Sequence, residues 1–275
     1  MRAFLSKIVP IPLRTGIRQA LSPWSVSQKR GEANKGDLFS FSGVADLDHE
    51  ARRRLVANLY LTGDGVEIGA LHSPLRVAPT ARVKYIDRMT VEQLRIHYQE
   101  LNDLPLVALD IIADGELLTE VPDETQDFVI ANHFIEHCEN PILACRNMIR
   151  VLKPGGVLYL AIPDKRYTFD SDRPVTPLAH LRQDFEQGPA WSRNGHFQEW
   201  ARLVDKVSDD NDEAQKRADF LAGIDYSIHF HVWTQAEMFE LITALRQDMG
   251  LSFDIELFLK NEIECIFILR KNPSN

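Results

Sequence analysis

Asp127-Phe128-Val129-Ile130-Ala131, then Asn132-His133, then a segment opening on Asn140-Pro141 and closing on Lys153-Pro154-Gly155-Gly156, then Val157 to Ile162: this stretch decides the fold. The two outer runs are almost wholly apolar, as strands buried on both faces must be. Asparagine before proline suits the cap and first position of a helix, and Lys-Pro-Gly-Gly suits its end. Strand, helix and strand at this spacing form a parallel crossover, and a parallel sheet needs helices on both faces.

Working outward, the same alternation continues. Asp48 caps an expected helix to Leu61, with Leu55, Val56 and Leu59 as its apolar stripe. Gly63-Asp64-Gly65 reads as a turn into the strand Val66-Glu67-Ile68-Gly69. Val83 to Asp87 is a second strand, leading into a helix from Thr90 to Leu101. Leu106 to Ile112 is a third, ending near Asp110 and Asp114. Thr234-Gln235-Ala236-Glu237 is a capping box opening a helix through Met238, Leu241, Leu245 and Met249. Phe253–Leu259 and Ile263–Leu269 close the chain; their short connection permits only an antiparallel pair. The fold expected is α/β and doubly wound: a Rossmann-like, mostly parallel seven-stranded sheet with a C-terminal antiparallel hairpin. Residues 164–232 show no strong periodicity and are too long for a plain loop, so they read as an insertion after strand five that covers the site.

Composition limits the function. The 275 residues carry 31 basic and 40 acidic side chains, a net charge of −9, which argues against nucleic acid as a partner. No apolar run is long enough to span a bilayer. Three cysteines, Cys138, Cys145 and Cys265, lack metal-like spacing and suit a reducing compartment, hence a cytoplasmic location. The first acidic residue is Glu32. The basic arm before it (residues 1–45 lie outside the expected domain, 46–275) has its apolar residues broken by Pro10 and Pro12, unlike a signal peptide. Such an arm either packs on the domain or makes peripheral contact with an anionic inner-membrane surface.

Ligands of open α/β sheets bind beyond the carboxyl ends of the strands. Those ends carry Glu67 to Leu71, Asp87-Arg88, Asp110 to Gly115, Asn132-His133 and Pro163-Asp164. A carboxylate ending strand two can accept from both hydroxyls of a ribose, and Asp87 has that position.

On these parts the run from about Asp64 to Leu269 resembles the class I S-adenosylmethionine-dependent methyltransferases, near the quinone-biosynthesis branch. Val66-Glu67-Ile68-Gly69 is similar to the family's first motif. Pro122 to Ile130 with Phe134-Ile135-Glu136-His137 is similar to its fourth-strand region. Arg150 to Gly156 is similar to its turn into strand five. Two further loop glycines of the family are Leu71 and Ser73 here, followed by Pro74, which narrows the backbone's approach to a cofactor. The resemblance implies S-adenosylmethionine as cofactor. Glu67 and the Gly69-Ala70-Leu71 backbone would meet its methionine end, Asp87 its ribose, Arg88 and Asp114 its adenine. Asp110 competes with Asp114, and Asn132 and His133 would lie near the sulfonium.

Histidine supplies the expected chemistry. Methyl transfer to a hydroxyl needs alignment and a base, and His133, His137, His196, His229 and His231 are the candidates. His133-Phe134-Ile135-Glu136-His137 spells an inverted zinc-peptidase motif, but a strand before it and Pro141 after it do not give one helix face. His229 and His231, on a strand, would point to one side, where Asp164 or His196 could complete a metal site; a structural or substrate-contacting pair is preferred, and no metal is assigned. Asp164-Lys165-Arg166, Asp170 to Arg173, Trp191 and Trp200 would offer polar and stacking groups to a sugar hydroxyl, in a glycan or glycolipid of polysaccharide biosynthesis. A quinone or small aromatic acceptor, and a non-catalytic scaffold in glycan assembly, are the alternatives.

Overall fold

The computed structural model describes residues 47–207 and 211–273; the basic arm lies outside them. The elements run α1 (His49–Tyr60), β1 (Gly63–Ile68), β2 (Ala81–Asp87), α2 (Val91–His97), β3 (Ile111–Ile112), β4 (Gln126–Asn132), α3 (Pro141–Val151) and β5 (Leu152–Pro163). Then come α4 (Leu178–Gln187), α5 (Ala190–Leu203), α6 (Asn211–Gly223), α7 (Gln235–Gln247), β6 (Phe253–Asn261) and β7 (Glu264–Lys271). One seven-stranded sheet has the order β3-β2-β1-β4-β5-β7-β6. All neighbours are parallel except β5–β7 and β6–β7, so the expected sheet and hairpin are both present.

Alternation along the strands divides the core, because successive side chains point to opposite faces. Val129 and Ala131 of β4 pack with Leu158, Leu160, Met148 of α3 and Leu241 of α7. Phe128 and Ile130 pack on the other face with Tyr159, Ile268 and Val56 of α1. Phe128, Val129 and Ile130 are fully buried, each worth about 1.5–3 kcal/mol of hydrophobic stabilisation. The helix caps behave as their side chains dictate. Asp48 accepts from Ala51 N–H at 2.7 Å, Asn140 from Leu143 N–H at 3.0 Å, and Thr90 and Thr234 both form capping boxes.

Four details differ from expectation. Gly63-Asp64-Gly65 belongs to β1, where the chain needs no turn because Gly63 N–H already bonds Thr80. The helix after Thr90 stops at His97, and a separate 3-10 turn covers Gln99–Leu101. Strand three shrinks to Ile111–Ile112: Asp110 caps the Tyr85 N–H with its own side chain (2.9 Å), so the ladder starts only after it. Lys153 to Gly156 is the irregular start of β5, next to a register shift against β4.

Residues 164–232 are mostly helical. Their ends meet, since Asp164 bridges Trp233 and Lys165 N–H donates to Trp233 at 2.9 Å. α5 and α6 share a separate core of Phe197, Trp200, Ala218, Leu221, Tyr226, Ile228 and Phe230. Among the described residues no helix is long and apolar enough to cross a membrane. Cys138, Cys145 and Cys265 are free and buried.

Candidate active site

The carboxyl ends of β1, β2 and β4 bring together most of the residues expected to bind a cofactor. Glu67, at the end of β1, is almost wholly buried. Leu75 N–H donates to both its oxygens (3.0 and 3.1 Å) and Asn132 Nδ2 donates to Oε1 (3.3 Å). Burial outweighs these bonds and pushes the Glu67 carboxyl up to about 7. The loop between them keeps a glycine-like path without glycine. Gly69 has φ +65° and Leu71 has φ +50°, so a leucine occupies the left-handed region at a cost of roughly 1–2 kcal/mol. Ala70 is buried and Leu71 half-buried.

Asp87 is buried at the end of β2, and burial raises its carboxyl. Its contacts are backbone amides, with Met89 N–H at 3.4 Å, which leaves acceptor capacity for a diol. Asp114 follows the end of β3 and accepts from Glu116 N–H at 2.8 Å. Asp110 precedes that strand and is engaged with Tyr85, so of the two only Asp114 stands at the carboxyl edge. Arg88 does not stand free for an adenine: it pairs with Asp225 after α6 and donates to Tyr98 Oη at 3.0 Å. Gly115 sits against Phe134, and a Cβ there would lie 2.5 Å from Phe134 Cζ and 2.7 Å from Ile68 Cγ2.

Beyond β4 the histidines separate. His133 has φ +47°, and its Nε2 lies 2.7 Å from Glu264 Oε2. Glu264 was not legible as a site residue. It is fully buried at the start of β7 and also accepts from Arg53 (Nε, 2.8 Å, and Nη2) and Asn261 Nδ2 (2.7 Å), with His49 Nε2 3.2 Å away. Burial would raise its carboxyl, but Arg53 first, with His133 and His49, holds it well below the usual range. The signal that could have found it is a lone carboxylate opening an otherwise apolar strand, Glu264-Cys265-Ile266-Phe267-Ile268-Leu269.

His137 and His229 face each other edge to face, 4.6 Å between centroids. His137 Nδ1 lies 2.9 Å from Ile228 O, and His229 Nδ1 lies 2.7 Å from Asp170 Oδ2. Each contact orients its ring through Nδ1. Between them Glu136 is buried, and neither carboxylate oxygen has a hydrogen-bond partner among the described residues. Burial raises the Glu136 carboxyl and drives the His137 imidazole well down.

Several expectations fail here. His229 and His231 lie outside any strand and join different clusters: His231 meets His180, Asp184 and His196, not His229. Asp164 does not complete either; it pairs with Arg166. Asp170 and Arg173 are buried against each other and against His229 O, and so are consumed internally rather than offered to an acceptor. Trp200 is core, while Trp191 is exposed beside His180. The His133–His137 motif, by contrast, behaves as expected: a 3-10 turn splits it, its two rings bond Glu264 and Ile228, and it does not lie on one helix face.

Residues 65–160 match the family model described as a methyltransferase domain. No curated protein matches the sequence. Among solved structures the chain is similar to the CurJ carbon methyltransferase (12% identity, TM-score 0.42), covering 77% of this chain and 49% of that one. It thus spans about half of that protein's length. It is also similar to a SAM-dependent methyltransferase from Methanosarcina mazei (17% identity, TM-score 0.43, 80% of this chain and 97% of that one). A third is a SAM-dependent methyltransferase from Aquifex aeolicus (14% identity, TM-score 0.41, 78% of this chain and 85% of that one).

The matched segment runs from β1 into β5, and S-adenosylmethionine is the cofactor that the resemblance to methyltransferases implies for it. The residues fit such a group. Asn132 Oδ1 is buried without a partner beside Glu67, an acceptor suited to an ammonium, and Asp87 suits a ribose.

Proposed function

We propose that the protein methylates a hydroxyl of a polar, sugar-like acceptor, free or within a glycan. The observation that supports it is the Glu264–His133 pair at the end of β4. A buried carboxylate that accepts a hydrogen bond from one ring N–H orients an imidazole and leaves the other nitrogen able to accept. His133 Nε2 points to Glu264, so Nδ1 is the accepting atom, 4.0 Å from Glu136 Oε1. S-adenosylmethionine supplies an electrophilic methyl group; the protein's part is to align the hydroxyl and take its proton. His133 is the proposed base. Glu136, His137 and His229 form a polar wall that suits hydroxyls, where a quinone would want apolar walls.

The test is transfer of labelled methyl from S-adenosylmethionine to a panel of sugars, glycolipids and quinols. Sugar products support the reading, and labelling of quinols alone overturns it. His133→Ala is expected to keep the cofactor Kd and to lower turnover by roughly 10²–10⁴. Tight cofactor binding with no transfer to any acceptor would favour the scaffold alternative.

A further inference from the structure

His180, Asp184, His196 and His231 each offer one ligating atom, and the four atoms lie within 4.8 Å of one another. All four belong to the segment that leaves the sheet at Asp164 and returns at Trp233, and none is needed for the methyl transfer proposed above. His180 and Asp184 share a face of α4, His196 comes from α5, and His231 from the returning segment.

Three of the separations are close to those of a coordination sphere. His180 Nε2 is 3.0 Å from His196 Nε2 and 3.2 Å from Asp184 Oδ2, and His231 Nε2 is 3.7 Å from the same oxygen. A tetrahedral zinc ion with ligands at roughly 2.0–2.2 Å spaces them by about 3.3–3.6 Å. Asp184 Oδ2 is buried with no hydrogen bond, although its other oxygen accepts from Ser192 Oγ at 2.8 Å. His231 is fully buried, and its Nε2 has Glu139 O at 3.4 Å besides the Asp184 oxygen. A buried polar atom left unpaired, as Asp184 Oδ2 is, calls for an ion or ordered water.

We propose that these four side chains bind one divalent transition-metal ion, zinc by their imidazole-rich chemistry, in a closed structural site. The ion ties α4 and α5 to the returning segment two residues beyond His229. It thereby holds the insertion in register over the polar wall. Four protein ligands leave no open position, so the ion serves architecture and not the transfer itself. Sequence alone assigned no metal, because α4, α5 and the returning segment meet only once folded.

The experiment is metal analysis of the full chain, purified without a polyhistidine tag. Wild type is expected to carry about one zinc per chain. Asp184→Asn and His196→Ala should each lose it at least tenfold, whereas Glu136→Gln, from the other histidine cluster, should retain it. Chelator-stripped wild type refilled with Co²⁺ should show the intense visible absorption of tetrahedral cobalt, which keeps the test open if a variant fails to fold. Zinc-free wild type with no such absorption overturns the proposal. So does zinc that survives Asp184→Asn and disappears with Glu136→Gln, since the ion would then sit at the three-ligand cluster.

Discussion

Glu264→Gln tests whether one buried carboxylate organises the underside of the site. Glu264 is inaccessible to solvent and bonds Arg53, His133 and Asn261, with His49 at 3.2 Å. Glutamine keeps the volume but removes the charge, and its amide NH₂ points a donor at groups that themselves donate. Arg53 is then a buried guanidinium left only with the exposed Glu50, 3.9 Å away. Breaking such a pair from one side costs about 3–5 kcal/mol. At this chain length that is a fall in Tm of roughly 6–20 °C.

The pH dependence carries the signature. Glu264 has a folded pKa below its unfolded one, so its contribution is present above about pH 4.5 and lost as pH falls through the folded value. Against burial, which lowers it, hydrogen bonds to Glu264 and Glu50 raise His49 to about 9. Its contribution is therefore complete below pH 6.5 and lost as pH rises toward 9. Glu264→Gln should flatten both limbs of a plot of Tm against pH measured by calorimetry. It should also lower turnover, because His133 loses its orienting acceptor, with a smaller change in cofactor affinity. An unchanged Tm at pH 7 together with an unchanged acid limb would refute the assignment of Glu264 as the charge that holds Arg53.

Other outcomes follow from single contacts. Asp87→Ala should weaken S-adenosylhomocysteine binding in calorimetry by about 1.5–3 kcal/mol, the worth of a hydrogen bond to a charged group. Affinity for an ammonium-bearing cofactor should rise with pH through about 7 as Glu67 ionises, with a proton released on binding below that pH, and Glu67→Gln should abolish the dependence. Gly115→Ala forces a methyl group to within 2.5 Å of Phe134 Cζ and should cost about 1–3 kcal/mol in urea unfolding. Combining it with Phe134→Leu should cost less than the sum, since the two sites share one space.

The strands, caps and hairpin were readable because each is set by neighbours in sequence: apolar runs, Asn140 before Pro141, Thr234 three residues before Glu237. Strand three misled because Leu106 to Leu109 has strand composition, while the Asp110 side chain takes the Tyr85 amide that a longer strand would have used. The insertion's helices escaped for a different reason. α4 and α5 turn Asp184, His180, His196 and Ser192 inward beside Phe197 and Trp200, so the buried face is partly polar and the helical stripe is broken. Asp87, Asp114, Asn132 and His133 came to the strand ends as the alternation required. Glu264 did not come to notice, because its partners Arg53 and His133 lie 211 and 131 residues away in the chain.

Arg88, expected at an adenine, instead explains how the insertion relates to the cofactor end of the sheet. Asp225 receives Arg88 from the end of β2 and Arg193 from α5, and Arg193 also reaches Glu139, beyond β4. Glu139, Arg193, Asp225 and Arg88 thus form a chain of charges across the carboxyl edge, from the acceptor side to the Asp87 side. Asp225 is mostly exposed, so each link is worth only about 0.2–1 kcal/mol and weakens with salt. The hinge at Asp164 and Trp233, by contrast, is buried and backbone-bonded. The insertion is therefore fastened firmly at its root and weakly along its rim. Arg88, the sheet's link in that rim, directly follows Asp87, the carboxylate expected to grip the ribose, so the rim contact and the expected ribose contact are one residue apart.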